Sequence, residues 1–131
     1  MTKVEVQYSD LQKALERLKE ASVLPGELTI HQDATIQRFE FTFEAAWKLM
    51  KTVVELEGLA SASPRSTIRQ AADIDLIDDP KEWFGFLEQR NLTVHTYKEE
   101  IAQGVYRSAI NFIPFVDRLL VKIKKYLHGL S

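Results

Sequence analysis

The sequence predicts an all-α fold, a bundle of four to five helices running up and down with short connections. Three observations carry this. Apolar residues recur at helical spacing through several long runs. Proline and glycine punctuate those runs at Pro25-Gly26, Gly58, Ser63-Pro64 and Asp79-Pro80. No period-two run of β-branched residues bounded by turns exists to make a strand. A length of 131 residues suits one domain, and the chain shows no repeat, low-complexity tract or linker. A single helical bundle over residues 1–131 is therefore expected.

The first helix is expected to open at Ser9, with Gln12 completing a capping box. Leu11, Leu15 and Leu18 form its apolar side, and Pro25-Gly26 closes the segment as a turn. Thr29 and Gln32 form a second candidate capping box. From there nothing interrupts the helical pattern until Gly58, giving a helix of about 42 Å at 1.5 Å per residue. Phe39, Phe43, Trp47, Met50 and Val54 form its main stripe; Phe41, Ala45 and Leu49 widen it. So broad an apolar surface predicts a helix that is central, or one covered on a second side by another chain.

Ser63-Pro64 is an N-cap followed by proline at the first helical position, opening a short helix to Ala72 with Arg65 and Arg69 four apart. Asp73 to Asp79 is an acidic connection in which Ile74 and Leu76 are expected to dock. Asp79-Pro80 opens the next helix. Thr93, Thr96 and Tyr97 are weak helix formers, so this helix is expected to break near Thr96 to Lys98. The last helix should run from Lys98 to Leu127 and stop at Gly129, with Pro114 bending it. Its apolar positions are Ile101, Val105, Ile110, Phe112, Phe115, Leu119, Val121 and Ile123. Lys122, Lys124, Lys125 and His128 suit the negative end of its dipole.

Composition narrows the function. Net charge is −2, whereas a protein that grips duplex nucleic acid over a wide surface is usually basic; any nucleic-acid contact should be local. The chain has no cysteine, which excludes disulfides and thiolate metal sites and fits a cytoplasmic location. No apolar run approaches a membrane span, and Met1 to Asp10 lacks a basic-then-apolar secretion pattern. There is no phosphate-cradling glycine loop, H-E-x-x-H, EF-hand loop or G-x-S-x-G. Glu40 and Glu44 share a face as dimetal ligands would, but no Glu-x-x-His accompanies them. No metal and no cofactor is therefore expected. His31, in a first helical turn, is expected to be solvated.

One stretch concentrates chemistry: Arg90-Asn91-Leu92-Thr93-Val94-His95-Thr96-Tyr97. On a continuous α-helix Leu87, Arg90, Val94 and Tyr97 fall within roughly 40° of Trp83, on the apolar side. Asn91 and His95 form a second stripe, and Arg90 and His95 diverge by about 140°. A second copy of the chain could bring an arginine of one protomer to a histidine of the other. The structural readings are an Arg90 ion pair with Glu88, Glu55 or Glu57, a half-buried His95 bonded to Asn91 or a carbonyl, and a packed Tyr97.

This stretch resembles the arginine–four residues–histidine–x–tyrosine motif of the HEPN domain family, in the branch of toxins paired with minimal nucleotidyltransferases. "IQRFEFTFEAAWKLMK" followed by "SPRSTIRQAA" resembles relatives known as nucleotidyltransferase substrate-binding proteins. The likeness runs from about Leu11 to Leu127. It implies a homodimer formed through the motif-bearing helices and a cognate minimal nucleotidyltransferase as partner. It also implies Arg90 and His95 as ribonuclease residues, Asn91 as their polar neighbour, and Tyr97 as the site of nucleotide addition. The chemistry is coherent without a metal: a 2′-hydroxyl attacks the adjacent phosphate, histidine moves the proton and arginine holds the developing charge. Two other functions fit the same residues. One is a non-catalytic substrate-binding subunit of a two-protein nucleotidyltransferase, its cleft taking a nucleotide through Arg90. The other is an interaction bundle whose motif is only structural.

Overall fold

The computed structural model describes residues 1–129. It contains five helices and one short 3-10 turn: α1 (Lys3–Ser22), α2 (Thr29–Leu56), α3 (Pro64–Asp73), α4 (Pro80–Asn91), the 3-10 turn Leu92–His95, and α5 (Glu99–Gly129). The described residues contain no strand. None of the helices is long and apolar enough to cross a membrane.

Helix α1 begins earlier than expected. Thr2-Lys3-Val4-Glu5 is itself a threonine-x-x-glutamate box, and Thr2 Oγ1 accepts from the Glu5 amide at 3.2 Å. Ser9 thus lies inside the helix, and Val4 joins Leu11, Leu15 and Leu18 in the core. Burying one more valine favours the earlier start. The Thr29 capping box does not form. Leu28 occupies the cap position without a side-chain bond, and the Gln32 amide donates instead to the Gly26 carbonyl at 2.6 Å. His31 is not merely solvated: its Nδ1 lies 2.8 Å from the Pro25 carbonyl oxygen. Both side chains tie the turn to the first turn of α2.

Cross-helix bonds fix α1 antiparallel to α2: Gln7 meets Thr52, the Ala14 carbonyl takes the Thr42 hydroxyl, and the Arg17 carbonyl takes Arg38. Helix α2 is central, packing against α1, α3, α4 and α5. Phe39, Phe43, Leu49, Met50 and Val54 are fully buried, Trp47 is half-buried, and Phe41 is exposed. Gly58 ends the helix at φ 85°, with the Leu59 amide on the Val54 carbonyl and the Gly58 amide on that of Glu55. Helix α3 starts on the Ser63 cap and Pro64 as expected, and Asp79-Pro80 opens α4. Leu76 and Ile77 seat the acidic connection in the core.

Helix α5 runs through Pro114, which lies on its exposed side. Phe112 is the hub of the interior. Its ring centroid lies 5.3 Å from Phe39, 5.9 Å from Phe43, 5.2 Å from Trp83 and 4.8 Å from Phe86. One α5 side chain thereby joins α2 to α4. Ile110 and Val121, expected inside, stand on the outer face at 37% and 56% exposure.

Phe112→Ala removes a fully buried ring touching two other helices and is expected to cost about 3–5 kcal/mol. Phe41→Ala, at an exposed position, should stay within about 0.5 kcal/mol of the native protein. Urea denaturation of the two variants measures the contrast.

Candidate functional site

Helix α4 ends sooner than its sequence pattern suggests. The Leu92 amide still bonds back into the last turn, but the next residues tighten to 3-10 geometry. Two hydroxyls support this change: Thr93 Oγ1 donates to the Arg90 carbonyl at 2.7 Å, and Thr96 Oγ1 to the Thr93 carbonyl at 3.1 Å. These bonds take up carbonyls that a longer α-helix would have satisfied. The Lys98 amide then bonds the His95 carbonyl at 3.1 Å, just before α5 begins.

The tighter turn overturns the expected arrangement of side chains. At about 120° per residue the 3-10 segment does not continue the stripe of α4. Val94 and Tyr97, placed on the apolar side by the α-helical register, are 72% and 77% exposed. His95 is exposed beside Tyr97, their ring centroids 6.1 Å apart in an edge-on contact. Lys98 Nζ lies 6.0 Å from the Tyr97 ring centre. His95 is thus neither half-buried nor bonded to Asn91.

Arg90 is half-buried on the last turn of α4. Its Nη2 pairs with Oε1 of Glu44 on α2, and its Nη1 donates to Asn91 Oδ1 at 3.3 Å. The partner is therefore none of Glu88, Glu55 and Glu57. Glu55 lies about 16 Å along α2 from Glu44, beyond reach of the end of α4. Sequence reasoning weighed Glu44 only as a metal ligand and missed it as the partner of Arg90. Its Oε1 is screened from water, while Oε2 accepts from the Trp47 indole N–H at 3.2 Å and lies 3.8 Å from Lys48 Nζ. The i, i+3 and i, i+4 spacings to Trp47 and Lys48 were legible; the contact across to α4 was not.

Arg90 and His95 do not meet within the chain. Among the described residues, no hydrogen bond, ion pair or ring contact joins them. Both belong to the same end of the molecule, where α4 turns into α5. An open groove of about 560 Å³ lies beside them, lined by Asp33, Gln37 and Glu40 of α2 and by Thr93, Thr96 and Tyr97. A larger cavity of about 860 Å³, lined by Val4, Tyr8, Leu56 and Leu127 among others, contains no motif residue. Chemically, the motif region offers an oriented guanidinium, an exposed imidazole and an exposed phenol, but no cluster of three metal-ligating side chains among the described residues.

Comparison with known proteins gives a consistent result. Residues 6–125 match the family described as nucleotidyltransferase substrate binding protein like. The probable ribonuclease HepT of Haemophilus influenzae is 25% identical over 127 residues, covering 90% of this chain and 87% of that protein. A crystal structure of a Thermus thermophilus protein superimposes with a TM-score of 0.80 at 38% identity, covering 86% of this chain and 97% of the other. The tri-AMPylated HEPN toxin of Shewanella oneidensis, solved in complex with an MNT antitoxin, has a TM-score of 0.77. It is 17% identical, with 95% of this chain and 99% of that one covered; at that identity the likeness is one of fold.

Arg90→Ala leaves the screened Glu44 oxygen facing nothing and is expected to destabilise the fold by about 1–3 kcal/mol. Adding Glu44→Gln should recover part of that loss. His95→Ala, at an exposed position, should be neutral within about 0.5 kcal/mol. Thermal and urea melts of the three proteins check the pattern.

Proposed function

We propose that this chain, which belongs to the nucleotidyltransferase substrate binding protein like family, is the toxin of a toxin–antitoxin pair. In this reading it is a HEPN-type, metal-independent endoribonuclease that acts as a homodimer. A cognate minimal nucleotidyltransferase silences it by modifying Tyr97. The observation that carries the reading is the placement of the motif. Arg90 is oriented on the last turn of α4, and His95 and Tyr97 stand exposed on the turn that follows. The likeness to a probable ribonuclease and to a HEPN toxin held by an MNT antitoxin supports it.

The reaction follows from the side chains. The RNA 2′-oxygen forms a bond to the adjacent phosphorus, and the bond from phosphorus to the 5′-oxygen breaks. One His95 takes the 2′-hydroxyl proton, and the partner's His95 supplies a proton to the departing 5′-oxygen. Arg90 stabilises the charge on the phosphoryl oxygens through donors left free by Glu44 and Asn91. Because Arg90 and His95 diverge within one chain, pairing across a two-fold interface is the arrangement that joins them. Asn91 acts by holding Nη1 of Arg90. A nucleotide on the exposed Tyr97 phenol would add bulk and negative charge beside the imidazole and hinder RNA.

A second reading is supported by the description of the matched family, nucleotidyltransferase substrate binding protein like. The Arg90–Glu44 pair is compatible with it, since a guanidinium held by a carboxylate suits binding as well as catalysis. The chain would then be a non-catalytic, substrate-binding subunit of a separate nucleotidyltransferase.

With EDTA present, the purified protein should sediment as a dimer and cut RNA, leaving a 2′,3′-cyclic phosphate. Arg90→Ala and His95→Ala should each slow cutting by about 100-fold or more. Undiminished cutting by His95→Ala removes the ribonuclease reading. Expression in a host lacking the partner separates the alternatives: His95-dependent growth arrest supports the toxin, and harmless expression supports the subunit.

A further inference from the structure

We infer that Glu44 is a positioning residue for Arg90: its carboxylate, itself aimed by Trp47, holds the guanidinium in the orientation that meets a phosphate. The inference rests on the ribonuclease reading but makes a claim of its own about the free protein.

The geometry is a relay from α2 to α4. The Trp47 indole N–H fixes Glu44 Oε2 at 3.2 Å, leaving Oε1 turned inward and screened from water. That inner oxygen meets Nη2 of Arg90, while Asn91 Oδ1 takes Nη1. The two terminal nitrogens are thus each held from a different side. A guanidinium is a rigid planar fork, so an ion pair to Glu44 at Nη2 and a hydrogen bond to Asn91 at Nη1 together fix the plane of the whole group. The donors that remain belong to a side chain 31% exposed. Without Glu44, a long side chain at the end of a helix would lose its orientation and sample other rotamers.

Glu44 has a second, opposite effect. It places a negative charge beside the group that must receive an anion, and this weakens RNA binding. A residue that orients the guanidinium and also repels the substrate produces a distinctive kinetic signature when its charge is removed. Glu44→Gln keeps an oxygen for Trp47 but loses the charge. Turnover should fall by about tenfold or more, since small misplacements of a reacting group are costly. RNA affinity at low salt should rise by about two- to fivefold. A merely structural role would lower both together, along with the melting temperature.

Glu88→Gln is the control. Glu88 is exposed two residues before Arg90, and its replacement removes an equal charge without touching the guanidinium. This variant should raise affinity slightly and leave turnover unchanged. Trp47→Phe, which frees Glu44 while keeping every charge, should lower turnover several-fold at unchanged affinity, and it serves if Glu44→Gln folds poorly. A readout independent of RNA cutting is rotation about the Arg90 Cζ–Nη bonds, followed by nitrogen-15 NMR. Rotation should be slow in the native protein and fast in Glu44→Gln.

Slow rotation lost in the variant, together with opposed changes in turnover and affinity, supports the assignment. Equal rotation in both proteins overturns it, as does turnover in Glu44→Gln within twofold of native. If the native protein cuts no RNA while rotation changes as expected, the ribonuclease reading falls and the positioning role of Glu44 stands.

Discussion

The structure depends on the packing of Phe112 against rings from two other helices. This α5 side chain meets Phe39 and Phe43 of α2 and Trp83 and Phe86 of α4. Edge-on and tilted aromatic pairs favour particular geometries beyond the area they bury. The cluster therefore sets how far along α2 the helix α4 is seated. That seating delivers the last turn of α4 to Glu44, one residue beyond Phe43. As an ion pair the half-exposed Arg90–Glu44 contact adds little net stability, although removing Arg90 alone is costly because it strands the screened Glu44 oxygen; its value lies in direction. Hydrophobic packing supplies the fixed frame, and the polar contacts aim one cation within it.

Much of the fold was legible because its signals are local. Ser63-Pro64, Asp79-Pro80 and Gly58 each mark a helix end through backbone chemistry that no tertiary contact has to supply. The breadth of apolar residues on α2 announced a central helix, and α2 touches all four others. The start of α1 differs from expectation because two capping boxes compete, and burial of Val4 decides between them. The end of α4 differs for a related reason. Thr93 and Thr96 are weak helix formers, but their hydroxyls also cap the preceding carbonyls and end the α-helix at Asn91.

The segment proposed to carry the site was legible in the sequence, and the facing of its side chains was not. Arg90, Asn91, His95 and Tyr97 stand near one end of the bundle as a short sequence segment must. Their facing depended on a helical register that the 3-10 turn changes, so Tyr97 and Val94 turn outward. Glu44 is 46 residues from Arg90 in sequence, and only the packing of α4 on α2 brings them together. A carboxylate chosen by tertiary register leaves no spacing rule to read.

Failure of Arg90 and His95 to meet within one chain leads to the central claim, that the two act across a dimer. Mixing Arg90→Ala chains with His95→Ala chains tests it directly. After exchange of subunits, each mixed dimer keeps one native arginine and one native histidine, on opposite chains. The account predicts that the mixture cuts RNA faster than either variant alone but well below the native rate, because the one remaining histidine moves one of the two protons and water must move the other. A mixture of proven heterodimers that stays inert, under conditions where the native protein cuts, would contradict it.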